Sequence, residues 1–270
     1  MKHIEQTIQV AGRMNVLIRR GGSGPPVLYL HGSGGLDRDS QFMDGLAQRY
    51  EVIQPAHPGW PGSDGLDLVE SPLDVALHYG DLIQQLGLGP LPVIGYSIGG
   101  CFAAELAAVQ THLVSHLVLV ASVGLWLEEA PVTDFFARLP EELPALNWYD
   151  PESPAAVKYN TLPEDQEQRV KLEFDQIQSL AAASKFLWPI PDRGLQKRLY
   201  RIVAPTLIIW GVHDGIVPVA NAHAFARHIE QARCLLLEKA SHCVLRELPQ
   251  QCAVAVEEFI EPDKPGTAPQ

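Results

Sequence analysis

The sequence predicts an α/β fold: a mostly parallel sheet flanked by helices, with a helical segment inserted between two of its strands. Three observations carry this. Short apolar runs such as Val27-Leu28-Tyr29-Leu30 and Leu91-Pro92-Val93-Ile94 alternate with helical stretches, the rhythm of strands joined by crossover helices. A strand–turn–helix junction stands at Gly95-Tyr96-Ser97-Ile98-Gly99 and leads into the small-residue run Gly100 to Ala108. The rhythm lapses over 124–198 and then resumes, which marks an insertion rather than a tail. A chain of 270 residues has the length for one such domain and its insertion.

Taken in order, residues 5–19 alternate loosely and break at Ala11-Gly12-Arg13, a hairpin of Gln6–Val10 with Asn15–Arg19. Gly21 to Pro26 has the composition of a phosphate loop but lacks Gly-Lys-Ser/Thr and a following helix, so it reads as a turn. Val27 to Leu30 is a buried strand running into His31-Gly32-Ser33-Gly34-Gly35. A helix over about 39–48 and a strand over 51–55 follow. Ser71-Pro72 opens a helix by the cap-then-proline signal, with Leu73, Leu77, Leu82 and Leu86 on its apolar face and Gly87 at its end. After the junction at Ser97 come a strand over 114–120, then the insertion, with short helical segments, several prolines and most of the tryptophans. Strands at 205–210 and 234–237 alternate with helices at 219–229 and 249–260. The expected organisation is a core of 1–123 and 199–262, a helical cap of 124–198, and a flexible tail of 263–270.

A formal net charge of −12 disfavours nucleic acid and anionic membrane as partners, because both need clustered Lys and Arg, so neither is expected. The four cysteines form no C-x-x-C pair and read as buried free thiols, as in a reducing compartment. The first residues carry no apolar signal core, and no apolar run is long enough to span a bilayer. The expectation is a soluble cytoplasmic protein; assembly into a homo-oligomer is left open.

The chemistry centres on Ser97. A Gly-x-Ser-x-Gly turn between strand and helix lifts the hydroxyl out of the sheet. A serine hydroxyl needs a base within hydrogen-bond reach and a group that fixes that base. Of ten histidines, His242 is best placed, in a loop between the last strand and the last helix. Asp214, just past the strand that ends at Trp210, can hold it; the alternative for Asp214 is a turn aspartate before glycine. No second ligand stands at metal spacing near His213-Asp214, so no metal and no cofactor is expected. The developing oxyanion needs donors: the backbone N–H of Ile98, and another from the loop after the Val27–Leu30 strand.

These pieces together resemble an α/β-hydrolase-fold serine hydrolase over nearly the whole chain. The matching motifs are Gly24-Pro25-Pro26 before His31-Gly32, the loop His57 to Asp64, the elbow Gly95–Gly99, Trp210-Gly211 with Asp214, and Ser241-His242. The resemblance implies that the residue after His-Gly gives the second oxyanion N–H, here Ser33, with Gly34 as the alternative. It implies a small-molecule ester or lactone as substrate. Carbon–carbon bond hydrolases of ring-cleavage products are the other enzymatic reading, although Gly34-Gly35-Leu36 and Cys243 depart from the Gly-Pro-Gly and post-histidine tryptophan usual there. A receptor-like ligand-binding protein on the same fold is a third. Trp126, Phe135, Trp148, Phe186 and Trp188 are candidates for the substrate lining. The acidic residues of 124–198 are expected to disfavour anionic substrates by their field.

Overall fold

The computed structural model describes residues 3–36, 41–188 and 192–261. Eight strands form one sheet: β1 (His3–Val10), β2 (Met14–Gly21), β3 (Pro26–Leu30), β4 (Glu51–Pro55), β5 (Leu91–Tyr96), β6 (Val114–Val120), β7 (Thr206–Gly211) and β8 (Ala232–Leu237). Their spatial order is β1-β2-β4-β3-β5-β6-β7-β8. β1 and β2 form the expected antiparallel hairpin, β2 pairs antiparallel with β4, and the strands from β4 to β8 run parallel. In register, Ile94 lies opposite Val118, and Val118 opposite Leu207. Alternate residues of each strand therefore feed two cores. Val93, Leu117 and Ile208 face α2 (Pro72–Gln85), α3 (Ile98–Val109) and α7 (Ala220–His228). Ile94, Val118 and Ile209 face α1 (Gln41–Leu46), α8 (Val244–Glu247) and α9 (Pro249–Ile260). Both faces of the sheet are covered, which is why its central strands read as continuous apolar runs.

The Ser71-Pro72 signal is met by a reciprocal cap. The Asp74 N–H donates to the Ser71 hydroxyl at 3.3 Å, and the Ser71 N–H donates to the Asp74 carboxylate at 2.9 Å. The expected apolar face of this helix needs correction. Leu77 is 48% exposed, and the buried stripe is Val75, Tyr79, Leu82 and Ile83. Leucine count misdirects here: the i, i+4, i+7, i+8 stripe begins two residues later and carries a valine and a tyrosine.

Between β6 and β7 lie α4 (Leu143–Asn147), α5 (Pro154–Asn160) and α6 (Gln166–Leu187). The insertion holds more than short helices, for α6 runs 22 residues. Its start is capped by Asp165, which accepts from the Gln168 N–H at 2.9 Å. The pairs Arg169–Glu173 and Lys171–Asp175 follow at i, i+4. Its buried stripe, Ser179, Ala182, Ala183 and Phe186, is mostly small, which hides the helix from a reading of hydrophobic periodicity. Of the cysteines, Cys101, Cys243 and Cys252 are buried as expected, whereas Cys234 is exposed, because β8 is the outermost strand of its edge. Among the described residues no helix is long and apolar enough to cross a membrane. The expected tail, 263–270, lies outside the described residues, as do 39 and 40 of the expected first helix.

Candidate active site

Ser97 stands between β5 and α3 with φ 54° and ψ −116°, a backbone that an L-residue adopts at a cost of about 1–3 kcal/mol. The surroundings hold it there. The Ser97 N–H donates to Val120 O at 2.9 Å, and Ser97 O accepts from Gly100 and Val123 N–H at 3.0 and 3.2 Å. The turn demands glycine for want of space. A Cβ on Gly95 would meet Gly99 O at 2.4 Å, and one on Gly99 would meet Leu30 O at 2.1 Å.

The parallel sheet places the loops after β5, β7 and β8 at one end, and three side chains from those loops meet. His242 Nε2 lies 3.1 Å from Ser97 Oγ, and His242 Nδ1 lies 2.9 Å from Asp214 Oδ2. All three are buried. The Asp214 carboxylate is fixed on its other oxygen, where Oδ1 accepts from Ile216 and Val217 N–H at 2.9 and 2.8 Å. An ionised carboxylate accepts only, so Nδ1 carries the imidazole proton and Nε2 is left to accept from the serine.

Segment 146–149, at the end of α4, joins the two partner loops. Leu146 O accepts from the Gly215 N–H at 3.2 Å and from the Ser241 hydroxyl at 3.0 Å, and Asn147 O accepts from the Cys243 N–H at 2.8 Å. Glu247 completes the joint, accepting from Tyr149 N–H at 2.6 Å and Ser241 N–H at 2.7 Å. Burial pushes its carboxyl above the ordinary value, and the two backbone donors oppose that shift.

The loop after β3 is held from below by a chain of neutral rings. The His57 N–H donates to His31 Nε2 at 3.1 Å, so His31 carries its proton on Nδ1 and donates to Gly32 O at 2.7 Å. His57 Nε2 donates to His31 O at 2.7 Å, and its Nδ1 therefore accepts from the Tyr79 hydroxyl. Burial lowers the His57 pKa well below its usual value and raises that of Tyr79, so both stay uncharged. The Trp60 indole donates to Ser33 O at 2.9 Å. These contacts fix the peptide planes on either side of Gly32 and Ser33, whose residues line the same cavity as Ser97.

That cavity, of about 280 Å³, is where the sequence candidates sort themselves. Ser33, Gly34, Phe135 and Trp148 line it with Ser97 and His242. Ile98 begins α3 directly after Ser97 and is buried. Three expectations are corrected: Trp126, Phe186 and Trp188 do not line it. Phe186 is core, stacked on Trp60 at 6.4 Å and edge-on to Phe102 at 5.4 Å. The Trp126 indole turns to the Glu128 carboxylate at 2.9 Å, and Trp188 is 55% exposed at the end of α6. Sequence reasoning missed Tyr96, Asn147, Tyr159, Cys243 and Arg246. Tyr96 sits inside the elbow and Arg246 one turn after His242, so position relative to the motifs would have found both.

A family model described as alpha/beta hydrolase fold matches residues 25–247. The 2-hydroxy-6-oxo-6-(2'-aminophenyl)hexa-2,4-dienoic acid hydrolase of Metapseudomonas resinovorans is 24% identical, over 93% of this chain and 89% of its own. Human monoacylglycerol lipase ABHD6 is 26% identical, over 89% of this chain and 77% of its own. Among solved structures, a meta-cleavage product hydrolase from Pseudomonas fluorescens IP01 superposes with a TM-score of 0.74 at 19% identity, covering 96% of this chain and 98% of that one.

Proposed function

The chain belongs to the alpha/beta hydrolase fold family, and from that premise we propose that it is a serine hydrolase that cleaves a carboxylic ester or lactone through an acyl-enzyme. The observation that carries this reading is the unbroken line Ser97 Oγ–His242–Asp214, at 3.1 and 2.9 Å. In the forward step Ser97 Oγ adds to the carbonyl carbon while its proton passes to His242 Nε2. Asp214 steadies the imidazolium so formed. The Ile98 and Ser33 N–H groups receive the developing oxyanion, each donor contributing about 3 kcal/mol to the transition state. Collapse expels the alcohol, which takes the proton from His242. A water, deprotonated by the same nitrogen, then releases the acid and frees Ser97.

In this reading residues 124–198 act as a cap over a core of 1–123 and 199–262, and Phe135 and Trp148 contact the substrate from it. The name of the Metapseudomonas relative supports the carbon–carbon alternative, which a ring-cleavage dienoate assay separates from esterase activity. The test of the main reading is Ser97→Ala. We expect a folded protein whose ester turnover falls by roughly four or more orders of magnitude. A fluorophosphonate probe should label the wild type and not the variant. Equal labelling of both would sink the assignment of the nucleophile.

A further inference from the structure

Among the described residues three tryptophans are buried, and two of them use their indole N–H inside the protein. Trp60 donates to Ser33 O at 2.9 Å and Trp210 to Val217 O at 3.0 Å. Trp148, 2% exposed, has no acceptor for its Nε1–H among the described residues. Nor is that nitrogen sealed in protein as His78 Nε2 is, so the little of Trp148 that stays open includes it, and Trp148 lines the cavity of Ser97. A buried indole ordinarily finds a partner, because a donor left without one is costly. The side chain is also held in place from both directions. Asn147 O accepts from the Cys243 N–H at 2.8 Å, and the Tyr149 N–H donates to Glu247 at 2.6 Å. The Trp148 ring packs with Cys243 and lies 5.7 Å from the ring of Tyr159. Since Cys243 directly follows His242, the N–H stands within a small substrate's length of the reacting bond.

The rest of the lining decides what kind of atom this donor receives. Among the described residues that line the cavity there is no Asp or Glu, so the acidic side chains of the insertion are not part of its wall. The Arg246 guanidinium is engaged, by the Tyr159 ring at 4.3 Å and by Cys243 Sγ at 3.5 Å among its partners. Phe135, Leu143, Pro144 and Ile216 supply apolar wall. An indole N–H donates one hydrogen bond, accepts none and carries no charge. Between apolar walls it compensates the burial of one neutral oxygen, whereas a carboxylate would need far more. We propose that Trp148 Nε1–H receives a neutral oxygen of the substrate outside the scissile group, an ether, hydroxyl or keto oxygen. The compound cleaved at Ser97 is then an uncharged ester or lactone that carries this further oxygen. A methylene in its place leaves the N–H unpaired, so the discrimination comes from that penalty. This inference rests on the serine-hydrolase reading.

The test walks an ether oxygen along two esters. Phenyl hexanoate is compared with its analogues in which oxygen replaces the methylene at position 3, 4 or 5, and hexyl acetate with the same replacements along its alcohol. kcat/KM is divided by the hydroxide rate constant of the same ester, which removes intrinsic reactivity. In wild type at least one ether should stand roughly tenfold above its alkyl parent, and in Trp148→Phe, which keeps a ring but loses the N–H, that advantage should fall roughly tenfold. A flat wild-type profile overturns the proposal without any variant, and so does an advantage that Trp148→Phe retains. The second arm does not need turnover. By calorimetry, the affinity of the ethers relative to their alkyl parents should fall from Ser97→Ala to Ser97→Ala/Trp148→Phe. If no ester is hydrolysed and Ser97 takes no probe, the serine-hydrolase reading falls, and this binding arm still decides the role of Trp148: equal relative affinities in the two variants refute it.

Discussion

Glu247 is a single side chain on which two backbone donors converge, Tyr149 N–H from the insertion and Ser241 N–H beside His242. Its carboxylate needs both oxygens for this, and an amide supplies one. Glu247→Gln should therefore leave one of the two N–H groups facing an NH2, loosening the His242 loop. We expect a drop in kcat larger than any change in KM, read by steady-state kinetics. The pH signature is separate and its sign is fixed by burial. Because the folded pKa lies above the unfolded one, the native state holds its proton longer, and stability declines as pH rises from the ordinary glutamate value through the raised one. Read as the difference in unfolding midpoint between wild type and Glu247→Gln, in which contributions common to both cancel, wild type should lose ground as pH rises through that window. Of this residue nothing was legible beforehand, since a glutamate near the end of a four-residue helix carries no motif; its role comes from chain 98 residues away.

At the scale of elements, α2 combines a legible start with a concealed interior. Ser71-Pro72-x-Asp74 is a local signal, and local signals survive without knowledge of the fold. The side that a helix buries is decided by its neighbours, and α2 buries His78 at 4% exposure, with no hydrogen-bond partner for Nε2 among the described residues. Desolvation, with a smaller contribution from the Arg13 charge, lowers the His78 pKa from 6.5 to about 4. Between those values the unfolded chain binds a proton that the folded one refuses, so stability is lost as pH falls from 6.5 to about 4. The full loss is at most roughly 3 kcal/mol. His78→Leu should flatten the fall of the urea midpoint over that window. The slope that remains belongs in part to His57, which burial also keeps neutral. The cavity aromatics were illegible for the same reason as the buried face of α2: Phe135 and Phe186 are alike in sequence, and only the packing of α6 on Trp60 and Phe102 separates lining from core.

Over the whole molecule, what was legible is what the sheet's topology repeats: short apolar strands, and reactive side chains just beyond their carboxyl ends. Ser97, Asp214 and His242 could be chosen because each follows such a strand. Glu247 could not, because one of its two partners, the Tyr149 N–H, comes from chain 98 residues away. One more long-range pair tests how the chain re-enters the core after the insertion. Glu105 on α3, 1% exposed, is held by Arg198 in a forked pair at 2.7 and 2.5 Å. Arg198→Met strands that carboxylate in the core and should cost about 3–5 kcal/mol. Adding Glu105→Gln should return much of it, as read from urea midpoints of the single and double variants.

The distribution of the triad along the chain also bears on synthesis. His242 follows Ser97 by 145 residues. A chain leaving the ribosome presents the elbow serine long before the imidazole that activates it exists. α9, made after His242, then packs on α1, made before Ser97. The nascent chain therefore carries a bare alcohol where the reactive group will be while those 145 residues are made, and chemical competence arrives only once His242 has emerged and folded into place.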